Sequence, residues 1–247
     1  MQAHDDEIAP VYNWGKGGTM YKISPSDLTF GWDGCHYCFY MKVKHGIVLR
    51  GIFPGMFGRM ANMTSGYYLG KSTAEISSTL PPGRVALQEK WVQSEPISPP
   101  EAESQCYIKG RFDAVIEFDD GTYGIIDYKT SEATDEQTSF YSRQLSAYAY
   151  ALEHPAPRAL GLAPITRMGL FVVTPARFEA TEKNEKVFVN KTVWTDVPRD
   201  DEAFMRLLGE VVRLLDAREP PESDSDCETC NYRMTMEEWS GNHGGRH

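Results

Sequence analysis

Residues 110–148 constrain this chain more than any other stretch. They read Gly-Arg-Phe-Asp113-Ala-Val-Ile-Glu, a short turn, Ile-Ile-Asp127-Tyr-Lys129-Thr, and then Gln144-x3-Tyr148. Residues 111–118 and 122–128 are rich in β-branched and aromatic side chains, which suit the pleated surface of a strand. Asp119-Asp120-Gly121 joins them, and an Asp-Gly step between apolar runs is the strongest short-range hairpin signal. Such a hairpin brings Asp113, near the start of its first strand, opposite Asp127, near the end of its second. Asp127 and Lys129 stand two apart and so share a face. Ile125-Ile126 ahead of them reads as a strand buried on both sides, which sets Asp127 at the mouth of a core.

Two carboxylates and an ammonium on one face would waste charge in an ordinary core. They make sense around a hard divalent cation, which takes oxygen ligands. Mg²⁺ or Mn²⁺ held there can activate a water and steady a scissile phosphate, and Lys129 can stabilise the developing negative charge or position the nucleophile. This is chemistry suited to phosphodiester hydrolysis. The plainer alternative is an exposed hairpin with a solvated Asp-x-Lys pair, since surface pairs are common and contribute little. A helix is expected over about 136–152, with Gln144 and Tyr148 four apart on one side. They suit water positioning or contact with a nucleic-acid backbone; ordinary helix packing is the alternative.

The cysteines carry the second signal. Cys35-x2-Cys38 and Cys227-x2-Cys230 lie towards opposite ends of the chain, and Cys106 stands apart. Two such pairs supply a tetrahedral four-sulfur site, which suits zinc or an iron–sulfur cluster. The alternatives are two unrelated buried pairs or disulfides. An odd cysteine count and the lack of a signal-peptide pattern argue against disulfides and lead to an expected cytoplasmic setting. His36 could compete as a ligand, although four thiolates already fill the shell. Cys106 reads as a small buried hydrophobe.

The combination Gly-Arg-Phe-Asp113-Ala-Val…Ile-Ile-Asp127-Tyr-Lys129-Thr…Gln144-Leu-x-x-Tyr148 resembles the RecB-like branch of the PD-(D/E)XK nuclease superfamily. That branch includes nuclease domains of bacterial recombination helicases and CRISPR-associated exonucleases with a cysteine-bound cluster. The resemblance is most specific over residues 107–152. It implies a restriction-endonuclease-like α/β core, a mixed central β-sheet flanked by helices, with the chain ends joined by a four-cysteine metal site. It further implies Asp113 and Asp127 as ligands of Mg²⁺ or Mn²⁺, Lys129 as the catalytic lysine, and Gln144 and Tyr148 as the accessory motif. Many members add an upstream His or Glu ligand. Here residues 46–100 contain no histidine, and the acidic candidates are Glu75, Glu89 and Glu95, of which Glu89 is taken as the third ligand. Cluster-bearing relatives divide their cysteines one before the core and three after; this chain divides Cys35, Cys38, Cys227 and Cys230 two and two. A [4Fe–4S] cluster and Zn²⁺ both stay open, with the analogy leaning to the cluster and a structural role in either case.

The rest of the sequence reads as one domain over 1–247, with a core at about 85–195 and cysteine-bearing segments at about 24–45 and 220–240. Residues 1–14 are polar. Ser24-Pro25-Ser26-Asp27 has the signals of a helix start leading into 28–43. Residues 51–69 are expected to be a packed helix and loop in preference to a methionine-lined binding surface. Residues 168–174 read as a buried strand, 186–194 as an outer strand and 203–215 as an amphipathic helix. No run approaches the ~20 apolar residues of a membrane span. A net charge of −10 and a pI of about 5.1 do not suit a dedicated DNA binder. Lys42, Lys44, Arg50, Arg59, Lys71, Arg84, Lys109, Arg111 and Arg143 are the candidates for a local basic path. The function expected is metal-dependent cleavage of DNA, at ends or on single strands, in repair, recombination or defence and with protein partners. The alternative is a nuclease-fold scaffold or nucleic-acid-binding subunit of a larger complex.

Overall fold

The structure, a computed structural model, describes residues 19–48, 55–130 and 135–243; the polar residues 1–14 and Arg50 lie outside the described residues. The strands are β1 (Met20–Ile23), β2 (Gly83–Gln88), β3 (Trp91–Gln93), β4 (Gln105–Arg111), β5 (Ala114–Phe118), β6 (Tyr123–Lys129), β7 (Ile165–Ala180) and β8 (Lys186–Asp196). The helices are α1 (His36–His45), α2 (Gly55–Tyr68), α3 (Asp135–Glu153), α4 (Asp201–Asp216) and α5 (Glu228–His243), with single 3₁₀ turns at Pro25–Leu28 and Thr73–Glu75. The chain groups into two compact units, each discontinuous in sequence. One comprises Met1–Gly51, Pro96–Tyr107 and Met205–His247, and it contains every cysteine. The other comprises Ile52–Glu95 and Ile108–Phe204, and it contains the Asp-Gly hairpin.

That second unit is built on a mixed five-stranded sheet in the order β2-β5-β6-β7-β8. The hairpin closes where Gly121 donates its N–H to the Phe118 carbonyl at 3.0 Å and Phe118 donates to Thr122 at 2.9 Å. Gly121 has φ +82°, a region that side chains resist, and Asp120 Oδ1 accepts both the N–H and the hydroxyl of Thr122. The resulting register sets Ala114 opposite Ile126 and Glu117 opposite Tyr123. Strand β6 then pairs with β7 in parallel, which requires a crossover, and α3 provides it. Alternation divides β6 cleanly. Ile126 joins Val85, Ile116, Phe171 and Val173 in a core on one side, with Tyr128 packed against it. Ile125, Asp127 and Lys129 face the other side, and side chains of α3 meet the last two.

Four expectations change. The strand read over 111–118 is broken at Phe112-Asp113, because β4 and β5 pair with different partners. Ser24-Pro25-Ser26-Asp27 makes only a 3₁₀ turn, in which Asp27 Oδ2 accepts the Ser24 N–H at 3.2 Å; the helix proper starts after Cys35. Strand β7 runs well beyond 168–174, and its outer half forms with β8 an exposed ribbon carrying a Phe178–Phe188 pair at 5.1 Å. Helix α2 is largely exposed, Met56 and Met63 included, since its apolar residues do not gather on one stripe.

In the first unit, β1 lies beside the start of β4, where Gln105 donates to the Thr19 carbonyl at 3.2 Å. The final carbonyls of α4, orphaned as at any helix end, are met by side chains. The Tyr21 hydroxyl donates to Leu215 O at 2.8 Å, Lys44 Nζ to the same oxygen at 2.9 Å, and the Tyr40 hydroxyl to Ala217 O at 3.0 Å. Among the described residues, no helix is long and apolar enough to cross a membrane.

Gly169, on β7, lies under the Trp194 ring of β8. A Cβ there would run into that ring and stand 2.7 Å from the Thr195 carbonyl oxygen. Gly169→Ala is therefore expected to cost about 1–3 kcal/mol. Urea unfolding should show a lower midpoint with an unchanged slope.

Candidate functional site

The site begins at a kink in a two-stranded ribbon. Gln88 pairs with Ala114 on one side of it and Trp91 with Arg111 on the other, in the same antiparallel register. Glu89-Lys90 and Phe112-Asp113 lie opposite each other between these ladders. The Glu89 N–H donates to the Asp113 carbonyl at 3.0 Å and the Phe112 N–H to the Lys90 carbonyl at 3.2 Å. Glu89 takes φ +52°, a conformation rare for a residue with a side chain. A local break of this kind bends the strands and re-aims their side chains. It puts Glu89 and Asp113 at the same point of the unit.

The β5–β6 hairpin supplies the rest. Asp113 Oδ2 accepts the Tyr128 backbone N–H at 2.8 Å. Asp127 Oδ1 accepts from Gln144 Nε2 of α3 at 3.0 Å, and its Oδ2 lies 2.5 Å from Lys129 Nζ. The Lys129 ammonium also sits 4.2 Å from the centre of the Tyr141 ring. The Tyr148 hydroxyl donates to the Arg111 carbonyl at 2.8 Å, tying α3 to the end of β4 beside the kink. Asp113, Asp127, Lys129, Gln144 and Tyr148 thus lie in one neighbourhood. Sequence reasoning missed Tyr141. It precedes Gln144 by three and Tyr148 by seven, so helical spacing alone would have placed it on their face.

Glu89 shares the kink with Asp113, but its carboxylate is held by Arg111 Nε at 3.0 Å. Of the other acidic candidates, Glu75 pairs with Lys71 and Glu95 approaches His154. Four of the nine candidates for a basic path are engaged within the chain. Lys42 pairs with Asp27, Lys71 with Glu75, Arg84 with Glu117 and Arg111 with Glu89.

Electrostatics shows what the cluster lacks. Asp113 keeps some open surface, yet its carboxyl is closely surrounded by protein. Burial and then the charge of Asp127 push its pKa up to about 7, against the pull of the Tyr128 N–H and Lys129. Burial also raises Asp127, opposed by Lys129. For Lys129, burial pulls downward but Asp127 outweighs it, so the group is held as an ammonium. Two crowded carboxylates share the Lys129 ammonium, and among the described residues the buried Gln144 Oε1 and Tyr128 hydroxyl find no hydrogen-bond partner. This hard, oxygen-rich donor set suits a divalent cation such as Mg²⁺, to which Asp113 and Asp127 would offer carboxylate oxygens.

The cysteine centre belongs to the other unit. Cys35 caps the start of α1 and Cys38 is its third residue; Cys227 immediately precedes α5 and Cys230 is its third residue. The sulfur atoms of Cys35 and Cys230 are 3.9 Å apart, those of Cys38 and Cys227 3.7 Å, and those of Cys38 and Cys230 3.5 Å. Burial would raise the Cys35 thiol, but the backbone N–H groups of Asp224 and Cys38 hold it below its ordinary value. Cys38 is pushed up by burial and by the neighbouring thiols. Four sulfurs so arranged are positioned to bind a metal. Cys106 is buried apart from them, its thiol raised to about 12 by burial.

The model of one protein family, described as the PD-(D/E)XK nuclease superfamily, matches residues 66–235, well over half of the chain. That span includes Glu89, Asp113, Asp127, Lys129, Gln144, Tyr148 and the second cysteine pair. No curated protein shows a significant match. One solved structure, described as "Crystal structure of SSO0001", superposes with a TM-score of 0.45 at 16% identity, covering 86% of this chain and 84% of that one.

The crowded carboxylates make a prediction about stability. The folded pKa of Asp113 lies above its ordinary 3.8, at about 7, so the stability it contributes is full below the lower value and lost as pH rises through the higher. Protein dialysed free of Mg²⁺ should therefore show a falling melting temperature between about pH 4 and pH 7. Asp113→Asn should flatten that fall. Added Mn²⁺ should raise the wild-type melting temperature at pH 8 and leave the variant unmoved.

Proposed function

Since the chain belongs to the PD-(D/E)XK nuclease superfamily, we propose that it is a divalent-metal-dependent nuclease that hydrolyses DNA, at ends or on single strands, in repair, recombination or defence. The observation that carries this reading is the pair Asp113 and Asp127, crowded together with Lys129 only 2.5 Å from Asp127. Mg²⁺ or Mn²⁺ bound by these carboxylates would lower the pKa of a water and offset phosphate charge.

The protein's own residues do the positioning. Gln144 fixes Asp127 by donating to Oδ1. Lys129, kept protonated by Asp127 and braced against the Tyr141 ring, supplies positive charge for the oxygen atoms that gain charge during hydrolysis. Tyr148 holds the Arg111 carbonyl and with it the bend that presents Asp113. Glu89, at the kink beside Asp113, would offer a third carboxylate to the metal if Arg111 turned from it toward a phosphate. A chain of net charge −10 relies on the metal and on these few cations to approach DNA.

One observation favours a second reading. The intramolecular pairing of Lys42, Lys71, Arg84 and Arg111 draws cations away from phosphate, as in a scaffold or nucleic-acid-binding subunit of a larger complex. Cleavage of end-labelled single- and double-stranded DNA with Mn²⁺ separates the two. The wild type should cut. Asp127→Ala and Lys129→Ala should each lose about 10²–10³-fold in rate, the typical cost of removing a charge-stabilising group. A folded, metal-replete wild type that cuts neither substrate would favour the scaffold.

A further inference from the structure

We propose that Cys35, Cys38, Cys227 and Cys230 hold a single zinc ion and not the four-iron cluster to which analogy with cluster-bearing relatives leans. The spacing of the sulfurs decides between them. Four thiolates around one tetrahedral ion, with bonds of about 2.3 Å, stand about 3.8 Å apart. The separations of 3.5, 3.7 and 3.9 Å bracket that value, and all four sulfurs lie within 4.8 Å of one another. In a cubane each thiolate caps a different iron and points outward from its own corner, so the sulfurs stand roughly 6 Å apart. The cysteines would have to spread by more than half again to admit it.

Neighbouring contacts oppose such a spread. Arg233 of α5 stacks on the Tyr37 ring of α1 at 4.6 Å and donates to its hydroxyl at 2.7 Å, which pins the two helix starts together. The two-and-two division follows the same logic. Each pair occupies the residue before a helix and its third residue, so each helix start presents two sulfurs to a common centre, where the Cys38 and Asp224 N–H groups reach the Cys35 sulfur. Those N–H groups and the positive helix ends offset the surplus negative charge of four thiolates around a dication. His36 does not compete, because its ring lies against Trp32 with centroids 4.2 Å apart.

This inference is independent of the carboxylate site, since an inactive but folded protein would still carry the ion. The test uses the full chain, made in cells supplied with both iron and zinc and purified without oxygen. Metal and sulfide analysis should find about one zinc per chain, and zinc-edge X-ray absorption should find four sulfur neighbours at about 2.3 Å. His36→Ala should keep that sulfur shell, and Cys38→Ser should reduce it. If Cys38→Ser proves insoluble, the wild-type and His36→Ala spectra decide. About four irons with matching sulfide and a broad band near roughly 400 nm would overturn the proposal. So would zinc bound through nitrogen or oxygen, or protein that folds with neither metal.

Discussion

A carboxylate taken out of water must find compensation, and the second unit is arranged around that demand at Asp127. Its oxygens face Gln144 on one side and Lys129 on the other, so a strand end and a helix face are joined through one buried charge. Lys129 in turn rests on Tyr141, and Tyr148 one turn beyond Gln144 reaches back to the ribbon that bends at Asp113. The position of α3 and the angle of the ribbon both follow from satisfying this group. The compensation is incomplete, because Asp113 brings a second carboxylate that leans on the same Lys129 and on the Tyr128 N–H. A fold that carries this electrostatic tension into its interior is less stable than one with an apolar residue there, and it gains a place where a cation is welcome.

The two units solve different problems with similar means. In one, carboxylate oxygens project from strand ends and meet a lysine and a glutamine. In the other, four sulfurs project from two helix starts beside a cavity of about 1150 Å³. The first arrangement suits exchangeable hard cations and chemistry; the second suits a permanent ion that contributes folding free energy.

Much of this was legible in the sequence, and the limits have physical reasons. Local signals located the hairpin, because Asp-Gly turn chemistry and period-two alternation need no distant partner. They bounded α3 to within a residue or so at either end. The kink at Glu89 and Asp113 was hidden, since it exists only where β2 and β3 meet β5 and β4 across a long loop. Glu89 therefore looked no better than Glu75 or Glu95. The Ser24-Pro25 signal was real but spent on one 3₁₀ turn, because capping residues start a helix without sustaining it. The lysines and arginines of the supposed basic path could not be told apart from salt-bridge partners without their neighbours in space.

The placement of the two cysteine pairs has a consequence for biogenesis. Cys38 and Cys227 are 189 residues apart, so at about 5–20 residues per second the first pair waits roughly 10–40 s for its complement to emerge from the ribosome. Through that interval two thiols at the head of α1 are half of a site, open to oxidation and to capture by stray metal. Most of the second unit is already synthesised by then. Its sheet can form while the first unit still lacks its clasp, and acquisition of the ion then becomes the last event of maturation. A chain cut short before Cys227 would hold Asp113, Asp127 and Lys129 yet carry only half of the four-cysteine centre.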